Sequence, residues 1–325
     1  MMRKIYIPYI IFALIILLIP VFIHSYYYLG VLIQAGYFSL ICMGLSLVMG
    51  YAGQISLGHA AFFGLGGYAS AILTGGHGWC PWLAMLAAMI ISGVLAWLIG
   101  KPSLKLKGHY LAMATLGFGE IVYIFFNAEI RLTGGPSGYT MGVIPYLTIG
   151  NLTIDNEFKH YLLTWAIVLL ILLVNLHIIH SRLGRALRAI HADEEAARAM
   201  GVHTARFKVW IFVLSAVYAS LAGSLYAHNI LFVAPGPFAA MHSILFVTMV
   251  IVGGMGSIWG AVAGALLLTI LPETLRGFQD YNILIYGGIL LFIMLFMSGG
   301  LFGGGRLFLA WLSHLRGRKK EVADG

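Results

Sequence analysis

Between residues 30 and 73 the chain reads as two uncharged apolar stretches separated by Gly50-Tyr51-Ala52-Gly53-Gln54-Ile55-Ser56-Leu57-Gly58. The first stretch, 30–49, matches one membrane crossing, which takes roughly 20 apolar residues. The second, 59–73, is equally uncharged but short. The segment between them holds Gly50, Gly53 and Gly58 together with Gln54 and Ser56. Glycines there open a helix and bring polar groups to membrane depth, which is tolerated only where protein or a water-lined cavity satisfies the backbone. This stretch therefore decides the class: an all-α membrane protein in which some helices are short or broken.

Composition agrees. Of 325 residues, 61% are hydrophobic and 9% are charged, against roughly 25% charged in an ordinary soluble domain. Mean hydropathy is +0.94. Nineteen basic and eleven acidic residues are too few to solvate the surface of a folded soluble enzyme. So apolar a chain is not intrinsically disordered either. The net charge of +8 raises the question of nucleic acid, but no basic helix with interleaved aromatics is present, and none is expected to bind. Forty-one glycines suit close helix approach in a membrane. Cys42 and Cys80 suggest neither a disulfide framework nor a zinc site. His177 and His180 sit at the end of an apolar span beside Arg182, so no metal site is expected. Aspartates occur only at positions 155, 193, 280 and 324, all in loops, and no Ser-His-Asp set forms.

Outward from the break, apolar runs predict about ten transmembrane helices: 6–26, 30–49, 59–73, 81–100, 109–126, 160–180, 209–232, 241–252, 259–271 and 281–297. The run after Arg3 and Lys4 lacks a small-residue cleavage pattern and reads as an uncleaved span, with Tyr26, Tyr27 and Tyr28 as an aromatic belt. With both termini cytoplasmic, 16 of 19 basic residues fall inside, leaving Arg131, Lys159 and Arg276 outside. That asymmetry follows the positive-inside rule. Residues 1–325 form one transmembrane domain, with a charged cytoplasmic segment at 182–206 and a basic cytoplasmic tail at 306–325.

The charged segment is rich in Ala, Arg, Glu and Leu and predicts one amphipathic helix from Arg182 to Gly201, with Leu183, Leu187, Ile190 and Ala197 as its apolar stripe. Gly201 is its expected C-terminal glycine. Glu195-Ala196-Ala197, Gly201 after three intervening residues, and Ile211 after nine more resemble the EAA loop of ABC importer permeases. Val213 and Leu214 stand where that pattern continues with Leu and Pro. The segments 50–68, 110–121, Leu132-Thr-Gly-Gly-Pro-Ser-Gly138 and 251–260 are similar, in order, to branched-chain amino acid permeases of the LivM type. The resemblance covers residues 30 to 305.

That resemblance implies a permease subunit of an ATP-driven importer in the bacterial inner membrane, translocating branched-chain or related amino acids by alternating access. It implies a second, LivH-type permease, two cytoplasmic ABC ATPase subunits and a periplasmic amino-acid-binding protein as partners. No Walker A loop occurs in this chain, so it is expected to bind no cofactor and to leave ATP to the ATPases. It is not expected to be an enzyme. An ion-coupled transporter would call for charged pairs within spans, and only Glu120 qualifies.

The expected substrate-pathway residues are Gln54, Ser56, His59, Thr115 and Glu120, either as ligands or as groups that hold the break together. Open amides at the start of the 59–73 span offer a site for a carboxylate. A carboxylate such as Glu120 within a span must be neutral, paired or facing a cavity. Gly50, Gly53, Gly58, Gly253, Gly254 and Gly256 are the expected helix-break glycines. Arg185, Glu194, Glu195, Ala196, Ala197 and Gly201 are the expected ATPase-coupling residues.

Overall fold

The computed structural model describes residues 3–22, 25–104, 106, 108–142, 147–149, 152–275, 277, 282–296 and 300–301. The basic tail, Lys105, Lys107 and Arg276 lie outside the described residues.

Apolar runs become helices because no water is at hand for a peptide group that is not bonded within its own segment. The helices are α1 (Arg3–Phe22), α2 (Tyr26–Ser46), α3 (His59–Ala71), α4 (Pro81–Ser103), α5 (His109–Ala128), α6 (Ile130–Thr133) and α7 (Glu157–His180). They continue with α8 (Arg182–Ala192), α9 (Glu194–Ala199), α10 (Thr204–Ile230), α11 (Ala240–Gly253), α12 (Ile258–Leu275) and α13 (Asn282–Phe296). Wider π-type turns extend α2 through Leu47–Tyr51 and α3 through Ile72–Gly76. Among the described residues six helices are long and apolar enough to cross a membrane: α2 with its extension, α4, α5, α7, α10 and α12. Tyr6–Phe22 and α11 are apolar but shorter.

The all-α expectation holds, with four short strands in the connections. Strand β1 (Tyr139–Thr140) pairs antiparallel with β4 (Phe232–Val233), and β2 (Leu147–Ile149) with β3 (Leu152–Ile154). The charged segment departs from expectation: it forms two helices, not one. Asp193 is extended between α8 and α9, and its Oδ1 accepts hydrogen bonds from the amides of Glu195 (2.9 Å) and Ala196 (3.1 Å). An aspartate that caps a helix start ends the helix before it.

The core is built from helices apolar on every side. Helix α2 is buried almost throughout, as is α3, which marks both as interior elements. Helices α3 and α10 run parallel, because their contacts advance together. His59 Nε2 lies 2.7 Å from Ser215 Oγ, Ser224 Oγ donates to the Gly66 carbonyl, and Ser70 Oγ lies 2.9 Å from His228 Nε2. Their backbones nearly touch: a β-carbon at Gly66 would overlap the Ser220 carbonyl, and one at Gly223 would overlap that of Phe63. Helix α2 runs antiparallel to α10, with Gly44 against Ser215 and the Tyr37 hydroxyl donating to the Leu225 carbonyl. Helices α11 and α12 form a hairpin in which Gly253 meets Gly260 and Gly264 meets Met249. Between membrane helices, packing and hydrogen bonds do the work that water exclusion does in soluble cores, and small residues permit it.

The outer faces are apolar. Ile10, Leu14 and Val21 of α1, Leu86 and Ile90 of α4, and Met113 and Ile121 of α5 are exposed. Contiguous apolar surface of this kind belongs to a membrane or partner contact.

Replacing Gly223 by Ala should lower the stability of the detergent-solubilised chain by about 2 kcal/mol, the usual cost of overpacking. Gly117→Ala on α5, where a β-carbon meets nothing, should change it by less than about 0.5 kcal/mol or raise it. Thermal unfolding followed by size-exclusion chromatography reads both.

Candidate functional site

The break at Gly50–Gly58 lies where α2, α3, α5, α8, α10 and the α11–α12 turn converge. Close approach explains Gly50: a β-carbon there would overlap the Met255 carbonyl. Ser46 Oγ donates to the same carbonyl (3.1 Å), and the Tyr51 hydroxyl donates to the Gly256 carbonyl (3.1 Å). The two glycine-rich breaks are thus in contact, a pairing that separate reading of each did not disclose. Gly53 adopts φ +67°, and a β-carbon on it would sit 3.0 Å from His191 Nδ1 on α8. At Gly58 the β-carbon would lie 2.7 Å from the Thr115 carbonyl oxygen on α5. Gly254 takes φ +112° as it ends α11.

Four of the five expected pathway side chains come together here. Gln54, Ser56, His59 and Thr115 are all buried. His59 bridges two hydroxyls: its Nδ1 lies 3.2 Å from Ser56 Oγ and its Nε2 lies 2.7 Å from Ser215 Oγ. A neutral imidazole donates through one nitrogen and accepts through the other, so the two serines take opposite roles. The rings of Phe62 and Phe212 stand edge-on to the imidazole. Thr115 Oγ1 accepts from the Leu57 amide at 2.9 Å and donates to the Ala112 carbonyl. Two of the amides at the start of α3 are engaged, where open groups were expected: Ala60 donates to Ser243 Oγ (3.0 Å) and Ala61 to the Gly58 carbonyl. Gln54 differs from its neighbours. Its backbone amide donates to the Val48 carbonyl, but its side-chain Nε2 and Oε1 are buried without a hydrogen-bond partner among the described residues.

Glu120 stands apart from this cluster. It is half-buried on α5, and its carboxylate has neither a hydrogen bond nor an ion pair among the described residues. Asn127, two turns on, bonds back to its own helix at the Tyr123 carbonyl. Thr115 and Gly119 face the break, and Glu120 is turned from that line by one residue's rotation, about 100°.

At the same end of the bundle, α8 and α9 form a compact hairpin. Leu187, Ile190 and Ala197 are buried as expected, but Leu183 is 49% exposed. Arg185, Glu195 and Ala196 are exposed. Gly201 has φ +82°, and its amide donates to the Arg198 carbonyl, closing α9. Glu194 ties the hairpin to α10, pairing with Lys208 at 2.5 Å and with Arg198 at 3.2 Å. Partial burial pushes the Glu194 carboxyl up, but the hydrogen bond and charge of Lys208, with Thr204 and Arg198, outweigh it and leave it below its ordinary value of 4.5.

Sequence reading missed Ser215, Ser243, His191 and Lys208. The serines look like small helix-packing residues in apolar runs, and only their spatial facing makes them partners of His59 and Ala60. Lys208 closes the charged segment, and nothing local announces its burial.

Ser215→Ala strands a buried imidazole nitrogen and should destabilise the chain by about 1–3 kcal/mol, whereas Gln54→Leu removes an unpartnered amide and should be neutral or stabilising. Thermal unfolding of both variants in one detergent checks this. A carboxyl depressed on folding contributes stability above its unfolded value and loses it as pH falls through the folded one. Amide exchange across residues 194–204, corrected for intrinsic rates, should therefore quicken as pH drops below 4.5, and this dependence should shrink in Lys208→Met.

Comparison with known proteins bears on what this architecture belongs to. The family described as the branched-chain amino acid transport system permease component matches residues 27–298. The chain is 34% identical over 282 residues to the high-affinity branched-chain amino acid transport system permease protein LivM of Escherichia coli K12, covering 80% of this chain and 66% of that protein. The LivM of Salmonella typhimurium matches to the same extent, so the chain spans just under two thirds of the length of these relatives. It is 26% identical over 286 residues to LivH of Escherichia coli K12, covering 82% of this chain and 91% of that protein. No solved structure matches. With its long apolar helices, the chain is a multi-pass membrane protein, and it belongs to the branched-chain amino acid transport permease family.

Proposed function

We propose that this chain is the translocating permease of an ATP-binding-cassette importer that brings branched-chain amino acids into the cytoplasm, with separate ATPase subunits supplying the energy. The relatives named LivM and LivH support a pair of unlike permeases, of which this chain is one. Two ATPases dock on the cytoplasmic side and a periplasmic binding protein delivers the amino acid. The location is the bacterial inner membrane. Ten crossings, α1 to α5, α7 and α10 to α13, leave both termini in the cytoplasm. The end of α4 bearing Lys101 lies beside α9 and the start of α10, which supports placing these basic segments on one side of the membrane.

One observation carries the mechanism: the break in the α2–α3 pair touches the α8–α9 hairpin and the α11–α12 turn at once. Gly53 rests on His191, while Gly50 and Tyr51 rest on Met255 and Gly256. A hairpin moved by an ATPase would press on Gly53, and the displacement would reach both breaks without an intervening linker. The exposed Arg185, Glu195, Ala196 and Gly201 form the hairpin's contact with the ATPase, while the inward-facing Glu194 and Ala197 hold the hairpin to α10 and the core. Gln54, Ser56, His59 and Thr115 line the inner end of the pathway. The unpartnered Gln54 amide is the group that meets the substrate's charged ends. Glu120 serves the pathway from the outer side of α5, next to the second permease.

Gly53→Val and Gly201→Val each place a branched side chain at a positive φ. Reconstituted with its partners, either variant should retain ATP hydrolysis while amino acid uptake falls roughly tenfold or more, a normal size for lost coupling. Gln54→Leu should lower uptake without lowering stability. Unimpaired uptake in the two glycine variants would overturn the coupling route.

A further inference from the structure

Four basic side chains converge beside the hairpin, and one acidic group answers them. Lys101 comes from the last turn of α4, Arg198 from α9, and Arg206 and Lys208 from the first turns of α10. With Trp97 and Trp210 they enclose a pocket of about 720 Å³. Glu194 is the acidic member, and it is already engaged by Lys208 and Arg198. Four cations less one carboxylate leave the lining at +3. The Arg206 side chain has no hydrogen bond or ion pair among the described residues, and Lys101 Nζ lies 5.1 Å from the centre of the Trp97 ring.

The walls are amphiphilic. Trp97 is 48% and Trp210 64% exposed, the placement tryptophans take at the headgroup level of a bilayer. Lys and Arg near helix ends lay their stems on apolar surface and lift their charge to the same level. A second groove of about 450 Å³, lined chiefly by apolar side chains including Leu183, Leu187 and Phe207, shares Arg206 and Trp210 with the first. The exposure of Leu183, unexpected for the stripe of α8, is explained by this groove. A soluble anion would use the cations and ignore the groove. An amphiphile with a phosphate and a hydrocarbon chain uses both, and basic pockets between helix ends at a membrane surface suit such headgroups.

We propose that this pocket binds an anionic phospholipid, with Arg206 and Lys101 holding its phosphate and the adjoining groove taking an acyl chain. The site rests only on the chain's being a membrane protein. Its failure would leave the transport reading untouched, and failure of the transport reading would leave the site standing.

Native mass spectrometry of the full-length chain tests this, using micelles containing equal amounts of phosphatidylglycerol and phosphatidylcholine. Phosphatidylglycerol should be retained in preference. In the double variant K101Q/R206Q the preference should fall by roughly 30-fold, the equivalent of two interfacial cations. The charge-conserving K101R/R206K should keep it, which separates loss of charge from loss of fold. Equal retention of the two lipids by the native chain would overturn the proposal, as would an undiminished preference in K101Q/R206Q. Competition by glycerol phosphate as potent as by the lipid would also overturn it, since the site would then serve a soluble phosphate.

Discussion

The break at Gly50–Gly58 interrupts two interior helices, and the buried peptide groups it frees must find partners, so the positions of the surrounding helices follow from that need. An unsatisfied backbone group in a membrane interior costs several kcal/mol. Here the partners are side chains from distant segments: Thr115 for the Leu57 amide and Ser243 for the Ala60 amide. In return, Ser46 and Tyr51 satisfy the carbonyls of Met255 and Gly256 at the other break. Each break completes the other. Helices α5 and α11 are held against α3 by these bonds as well as by packing, so a change at one break is felt at its counterpart.

Buried polarity in this chain takes two forms. Around His59 it is satisfied, with a hydroxyl at each ring nitrogen, and a satisfied network in a low-dielectric interior is stiff and specific. At Gln54 it is not satisfied, and the side chain stays at a cost in stability. A stiff frame beside an under-satisfied group is an arrangement suited to a passage that must admit a polar solute. The hairpin of α8 and α9 abuts this region through His191 and is itself pinned by the Glu194–Lys208 pair.

Much of the fold was legible in the chain. Apolar runs located the helices within a few residues, since the requirement that every peptide group be bonded within its segment leaves few alternatives. The breaks at Gly50–Gly58 and Gly253–Ser257 were legible because glycine with polar neighbours is out of place in a span. The division of the charged segment at Asp193 was open to reading, since aspartate followed by two glutamates is a helix-start pattern, but the helical composition on either side masked it. The expectation of an open amide at Ala60 failed for another reason: whether that amide is free depends on a serine 183 residues further along the chain.

What the sequence by itself determined was the solvent of the protein, the place of its apolar helices, the two breaks and the family. These depend on composition and local order, which each segment carries alone. What only the tertiary structure decided was the pairing: Gly50 with Met255, Gly53 with His191, His59 with Ser215, Glu194 with Lys208. Pairing is set by which helix faces meet, and in a chain apolar on nearly every face the local pattern names no preferred side. Close backbone approach at small residues makes that choice, and it becomes visible only when the helices are assembled.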